Sequence, residues 1–224
     1  MKNEMVLVLD FGGQYNQLIA RRVRECNVYS EVRPYSLSLD AIKELHPQGV
    51  ILTGGPESVY SEEALSVERE LFALGVPVLG ICYGSQLMAQ ELGGRVEASR
   101  TSEYGKTELT ITVPDSRLFA GVPAKTTCWM SHTDYIAEPP PGFRVTATTP
   151  DCPVAGMEDS VRGLYAVQFH PEVLHTVEGK TMIRNFVREI CGCTGDWGMG
   201  SFVDQTVAAV SYTHLRAHET ELHL

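Results

Sequence analysis

Val76-Pro77-Val78-Leu79-Gly80-Ile81-Cys82-Tyr83-Gly84-Ser85-Gln86-Leu87-Met88-Ala89-Gln90-Glu91-Leu92 carries more structural information than any other stretch of this chain. Its first part is a short apolar run rich in Val, Leu and Ile, the composition of a strand buried on both faces. The part from Gln86 to Leu92 predicts a helix, closed by Gly93-Gly94. Between them stands Gly-x-Cys-x-Gly, so strand, sharp turn and helix follow one another with Cys82 at the apex. Flanking glycines let backbones approach closely, and an apical residue in such a turn is strained so that its side chain projects. The head of a helix carries partial positive charge, an environment that favours a thiolate, the form of sulfur that attacks carbonyls. The competing reading is a buried, inert cysteine, which leaves the glycines and the strand-to-helix switch unexplained.

Outward from this stretch the chain alternates. Met5-Val6-Leu7-Val8-Leu9 is a continuous apolar run, Asp10-Phe11-Gly12-Gly13-Gln14 a glycine turn, and Leu18, Ile19, Arg22, Val23 and Cys26 recur at helical spacing. A short strand over 31–34, a helix over 39–45 and a buried strand over 49–52 complete β-α-β-α-β. Strands buried on both faces and alternating with helices predict a mostly parallel central sheet flanked by helices, because parallel crossovers need a helix-sized connection. Ligands in such sheets bind at the carboxyl ends of the strands, where Asp10, Thr53 and Cys82 fall. After Gly94, alternation over 107–113 and β-rich runs over 125–130, 145–149 and 164–168 predict an added antiparallel β portion. An amphipathic helix over 178–191 uses Met182, Phe186, Val187 and Ile190.

With 224 residues, 43% hydrophobic and 21% charged, the chain has the size and composition of one soluble α/β domain, and its apolar runs are too short to span a bilayer. A net charge of -10 opposes binding to a phosphate backbone, and Arg21, Arg22 and Arg24 are best placed on the solvated face of a helix. No nucleic-acid or membrane partner is expected. The chain opens without a secretory signal, which predicts a cytoplasmic protein whose six cysteines stay reduced. Cys191-Gly192-Cys193 has the wrong spacing for a structural zinc pair, and no metal is assigned.

A nucleophilic Cys82 needs a base. The strand Leu164-Tyr165-Ala166-Val167-Gln168-Phe169 delivers His170-Pro171-Glu172, and a spacing of two allows the carboxylate to fold onto the imidazole as the acid of a triad does. A lone His-Pro-Glu is an ordinary turn. Beside an elbow cysteine it becomes the best-placed base, because His46, His132 and His175 have no acid so spaced. Acyl chemistry also needs donors for an oxyanion. Thr53-Gly54-Gly55-Pro56 ends a neighbouring strand, so Gly54 or Gly55, with the N–H of Tyr83, is the expected oxyanion hole; Pro56 has no N–H to give. That missing donor also argues against a pyrophosphate-binding loop.

Gly-Ile-Cys-Tyr-Gly-Ser-Gln, Thr-Gly-Gly-Pro and His-Pro-Glu, in this order over roughly residues 5–190, resemble the class I (triad-type) glutamine amidotransferases. The resemblance implies a flavodoxin-like core and the hydrolysis of L-glutamine by Cys82, His170 and Glu172. It also implies that Gln86 and the Ser131-His132-Thr133-Asp134 loop hold the glutamine backbone. Asp10 to Tyr15 with Gln17 to Glu25, Gly54 to Val59, Trp129 to His132 and Cys193 to Trp197 resemble one branch of the family, from which this chain departs at Gly13, where a Ser is expected, and at Thr133, where a Gly is. In that branch the ammonia passes to an ATP-pyrophosphatase (synthetase) domain. ATP and Mg2+ are then expected only for that domain and no cofactor for this chain. The implied organisation is an amidotransferase domain over 1–192, the start of a linker over 193–210 with a helix beginning near 202, and a non-native tail over 211–224. That tail, with His214, His218 and His223, resembles translated adapter sequence. The competing readings are another class I amidotransferase, a γ-glutamyl hydrolase with the same triad, and a non-catalytic partner-binding module.

Overall fold

The computed structural model describes residues 4–198, without the side chains of residues 100–102. The expected helix near 202, most of the 193–210 linker and the 211–224 tail lie outside the described residues.

Strand β1 (Met5–Asp10) leads into helix α1 (Asn16–Glu25), followed by β2 (Tyr29–Pro34), α2 (Leu39–Leu45) and β3 (Gly49–Leu52). A 3₁₀ turn (Arg69–Ala73) precedes β4 (Val78–Ile81) and α3 (Tyr83–Glu91). Then come β5 (Arg95–Ile111), β6 (Lys125–Glu138), β7 (Arg144–Thr148), β8 (Gly156–Asp159) and β9 (Leu164–Val167). Helix α4 (Gly179–Arg184) continues as a π-helical turn (Asn185–Ile190). Among the described residues these strands make one nine-stranded sheet in the order β2-β1-β3-β4-β9-β8-β7-β5-β6. The first five are parallel neighbours and the rest pair antiparallel.

The parallel half explains the unbroken apolar runs. On β1, Val6 and Val8 pack with Ile19 and Val23 of α1 and Met182 of α4, whereas Leu7 and Leu9 pack with Ile42 of α2 and Leu87 and Met88 of α3. Both faces are buried, so alternation has no polar side on which to show. Ser38 caps α2, its side chain accepting the Ala41 N–H at 3.3 Å.

Three differences from the sequence reading concern the site. Helix α3 begins at Tyr83, not Gln86, because the Cys82 carbonyl accepts the N–H groups of Ser85 (3.0 Å) and Gln86 (3.2 Å). The segment containing Ser131-His132-Thr133-Asp134 is not a loop: it lies within β6, paired with β5 from Arg95↔Glu138 to Thr110↔Lys125 across a bulge between Ala98 and Glu103. Arg22 does not lie on a solvated face; its guanidinium donates to the backbone carbonyl of Glu172 at 2.9 Å. Strand β8 was not expected from Gly-Met-Glu-Asp, yet buried Glu158 is held there by Arg144 (2.6 Å) and Ser116 (2.5 Å).

Past residue 192 the described chain still packs on the domain. Cys193 is buried, the Thr194 N–H donates to Glu4 at 2.6 Å, and the Trp197 N–H donates to the Asn27 carbonyl at 3.1 Å. The Trp197 ring lies 5.9 Å from that of Tyr29. Among the described residues no helix is long and apolar enough to cross a membrane.

Candidate active site

The loops after β1, β3, β4 and β9 open at the same edge of the sheet, the carboxyl edge where doubly wound sheets bind ligands. They line a cavity of about 350 Å³ with Gly12 to Asn16, Gly54 to Ser58, Cys82, Tyr83, Gln86, Ser131 to Asp134, His170 and Glu172. Every site residue expected from the sequence therefore contributes to one cavity.

Cys82 sits at the N-cap of α3 with φ 51° and ψ −107°, a conformation that costs free energy for a residue with a side chain and that neighbouring contacts must hold. Its N–H donates to the Val167 carbonyl at 2.9 Å, tying the elbow to β9. The glycines on either side admit close packing. A Cβ on Gly84 would overlap the Leu52 carbonyl, and one on Gly80 would lie 2.6 Å from the Gly84 carbonyl oxygen. Cys82 is only 7% exposed, and its sulfur faces the cavity, 3.8 Å from the Ser131 carbonyl and 3.8 Å from Nε2 of Gln168.

His170 follows β9, its N–H donating to the Trp129 carbonyl at 3.1 Å and its carbonyl accepting the Thr176 hydroxyl at 2.6 Å. Nδ1 meets Oε1 of Glu172 at 2.8 Å, which leaves Nε2 for the sulfur of Cys82. Burial alone disfavours the imidazolium, but hydrogen bonding to Cys82 and to Glu172 outweighs it and raises the pKa to about 10. Glu172 is 1% exposed, and its Oε2 has no hydrogen-bond partner among the described residues. The edge of Tyr15 packs on the imidazole, ring centroids 5.3 Å apart.

Four N–H groups at the head of a helix have no intrahelical partner. Here the Cys82 N–H is taken by Val167, that of Gly84 by the Thr53 carbonyl at 3.0 Å, and that of Ser85 by the Cys82 carbonyl. The Tyr83 N–H has no such partner among the described residues. Gly54 lies across from it, where an added Cβ would be 3.3 Å from His170 Cε1 and 3.6 Å from Cys82 Cβ. Gly55 packs instead on Phe11 and the Tyr83 ring. Gly13 is pressed against the Gly54 carbonyl so closely that a Cβ there would overlap it, which accounts locally for glycine at a position where the resembled branch has Ser.

On the opposite wall the Gln86 amide donates to the Asp134 carbonyl at 2.8 Å and to Oε1 of Gln168 at 3.2 Å. The Asp134 carboxylate takes the hydroxyls of Tyr60 (2.7 Å) and Ser58. His132 is buried, and Thr133, on the other face of β6, is exposed. The sequence reading missed Gln168, Tyr60 and Glu103. Gln168 had a signal, a polar residue inside an apolar strand just before the histidine. Tyr60 and Glu103, the latter 3.2 Å from His132 Nε2, had none, since strand pairing and loop closure bring them in.

The sequence profile of the family Glutamine amidotransferase class-I matches residues 7–190. A GMP synthase [glutamine-hydrolyzing] of Clostridium botulinum (strain Alaska E43 / Type E3) is 61% identical over 94% of this chain and 41% of that protein. The GMP synthase [glutamine-hydrolyzing] of Clostridium perfringens (strain 13 / Type A) is 58% identical over 92% of this chain and 40% of its own length. The chain thus spans about two-fifths of these relatives. Of solved structures, one described as a GMP synthase subunit from Thermoplasma acidophilum is 32% identical and superposes with a TM-score of 0.74, over 86% of this chain and 96% of that one. A glutamine amidotransferase of Thermotoga maritima, 19% identical with a TM-score of 0.68 over 85% and 99%, shares the fold.

Proposed function

This chain belongs to the class-I glutamine amidotransferases, and on that premise we propose that it is the glutamine-hydrolysing part of a GMP synthase, releasing ammonia for the ATP-dependent amination of xanthosine monophosphate. The observation that carries the reading is the line Glu172–His170–Cys82 at the head of α3, beside a Tyr83 N–H with no other partner among the described residues.

His170 takes the thiol proton of Cys82 on Nε2, held in place through Nδ1 by Glu172. The sulfur attacks the side-chain amide carbon of L-glutamine, and the carbonyl oxygen, now negative, is received by the N–H groups of Tyr83 and of Gly54 or Gly55. When the tetrahedral adduct collapses, His170 gives its proton to the departing nitrogen, so ammonia leaves and a γ-glutamyl thioester remains. Water then attacks the thioester, His170 takes a proton from it, and glutamate leaves as the thiol is restored. A raised His170 pKa suits this order, since the imidazole must hold a proton at neutral pH to release ammonia. Gln86 and the Ser131 to Asp134 segment of β6 hold the amino and carboxyl ends of the substrate. ATP and Mg2+ are called for only by a synthetase domain, the partner to which the ammonia passes, and no residue of this chain is assigned to them. The setting is cytoplasmic.

The deciding experiment measures ammonia and glutamate from L-glutamine, and GMP when a separately expressed synthetase domain, ATP, Mg2+ and xanthosine monophosphate are added. Cys82→Ala is expected to abolish both, and His170→Ala to slow glutaminase turnover by roughly 10²–10⁴. Near-normal hydrolysis by Cys82→Ala ends the proposal. Glutamate released from γ-glutamyl peptides, with no ammonia from glutamine, shows a γ-glutamyl hydrolase instead.

A further inference from the structure

Behind the β6 wall of the cavity three residues distant in sequence converge: Glu103 on β5, His132 on β6 and Cys152 in the turn between β7 and β8. Their ligand atoms all lie within 4.8 Å of one another. The ring of His132 has a determined tautomer. Nδ1 lies 2.8 Å from the Asp134 carbonyl oxygen, which can only accept, so Nδ1 carries the hydrogen and a neutral ring presents a lone pair at Nε2. That lone pair faces Oε2 of Glu103 at 3.2 Å. Two acceptors so close repel unless a cation, proton or metal, lies between them.

We propose that Glu103 Oε2, His132 Nε2 and Cys152 Sγ form a binding site for a zinc-type divalent cation, adjoining the active-site cavity through His132 but sharing no ligand with the Cys82–His170 pair. Tetrahedral zinc with nitrogen and oxygen ligands at roughly 2.0–2.1 Å holds those donors about 3.3 Å apart, and the observed 3.2 Å fits. Imidazole, carboxylate and thiolate together are a borderline-soft set that suits zinc and not magnesium or calcium. Supporting contacts are in place, and metal sites depend on them. Oε1 of Glu103 accepts the Thr149 hydroxyl hydrogen at 3.1 Å, the Thr149 oxygen accepts the Cys152 N–H at 3.0 Å, and His132 Nδ1 donates to a carbonyl. The Asp134 carbonyl that receives His132 also receives Gln86, so a bound cation would fix the wall that positions that amide.

The test uses the full chain carrying Cys82→Ala, which removes the thiol of the Cys82–His170 pair as a competing ligand. Metal-free protein is titrated with Co2+, then with Zn2+ as competitor. The expected result is a near-ultraviolet thiolate-to-cobalt band that saturates at one equivalent and is abolished by one equivalent of Zn2+. Adding Cys152→Ser should remove that band, and Glu103→Gln and Thr149→Val should each weaken Zn2+ binding by at least about 10–100-fold. Circular dichroism of each metal-free variant reports whether it folds. Should Cys152→Ser not fold, Glu103→Gln decides. Absence of a stoichiometric thiolate band, an unchanged band in Cys152→Ser, or undiminished Zn2+ affinity in Glu103→Gln overturns the proposal.

Discussion

His170 shows how a residue's neighbours set its state. The imidazolium of His170 lies between Cys82 and the buried carboxylate of Glu172, and its pKa of about 10 stands above the unfolded value of 6.5. A group whose pKa is raised by folding stabilises the fold fully below its unfolded pKa and ceases to do so as pH rises through the folded one. Urea unfolding from pH 6 to 10.5 should therefore show wild-type stability falling from about 6.5 upward, with a shallower fall in His170→Asn. Equal slopes would show that the two neighbours do not hold the proton. Gln168 is a positioning residue by the same reasoning: it offers Nε2 to the sulfur at 3.8 Å while Oε1 takes Gln86 at 3.2 Å. Replacing a donor to a charged acceptor costs about 1.5–3 kcal/mol, so Gln168→Leu should lower kcat/KM for glutamine by roughly ten- to a hundredfold. Its alkylation rate by a glutamine-like electrophile should fall in parallel, a readout that a purely structural role would leave unchanged.

At the scale of elements, the site depends on how closely α3 approaches β3 and β4. Gly84 is the point of nearest approach, its N–H donating to the Thr53 carbonyl at 3.0 Å and its Cα facing the Leu52 backbone. A methyl group there meets backbone, which has little room to yield. Gly84→Ala should lower unfolding stability by about 1–3 kcal/mol and, by displacing the Tyr83 N–H, reduce glutaminase turnover further than the loss of folded protein explains. Denaturant titration alongside active-site alkylation counts separates the two effects. The β5–β6 ribbon matters equally, since its register places Glu103 opposite His132 and carries Asp134 to Gln86.

On the scale of the whole molecule, the five parallel strands supply the chemistry and the antiparallel extension the wall that closes it. The segment after residue 192, expected to begin a linker, packs on the domain: Cys193 is buried, Thr194 bonds Glu4 ahead of β1, and Trp197 bonds Asn27 and lies near Tyr29 of β2. We propose that the stable domain includes Cys193, Thr194 and Trp197, past the expected boundary at 192. A chain ending at 192 should be less stable than one ending at 198 by about 1–3 kcal/mol, the range typical of losing buried side chains and their hydrogen bonds. Identical unfolding curves would restore the boundary at 192.

Local chemistry was enough to read the elbow, the parallel core and the Cys82, His170 and Glu172 set, because each is signalled within a few residues: glycines beside a cysteine, apolar runs between helices, an acid two places after a histidine. The length of β5 and β6 and the existence of β8 were not readable. Their charged residues look like loop until long-range pairing and the Arg144–Glu158 contact give them partners. The same limit hid the roles of Gln168 and Tyr60 and the meeting of Glu103, His132 and Cys152. Separation along the chain carries no information about distance in space, so which polar groups share a buried volume was decided only when sheet register and loop closure brought them together.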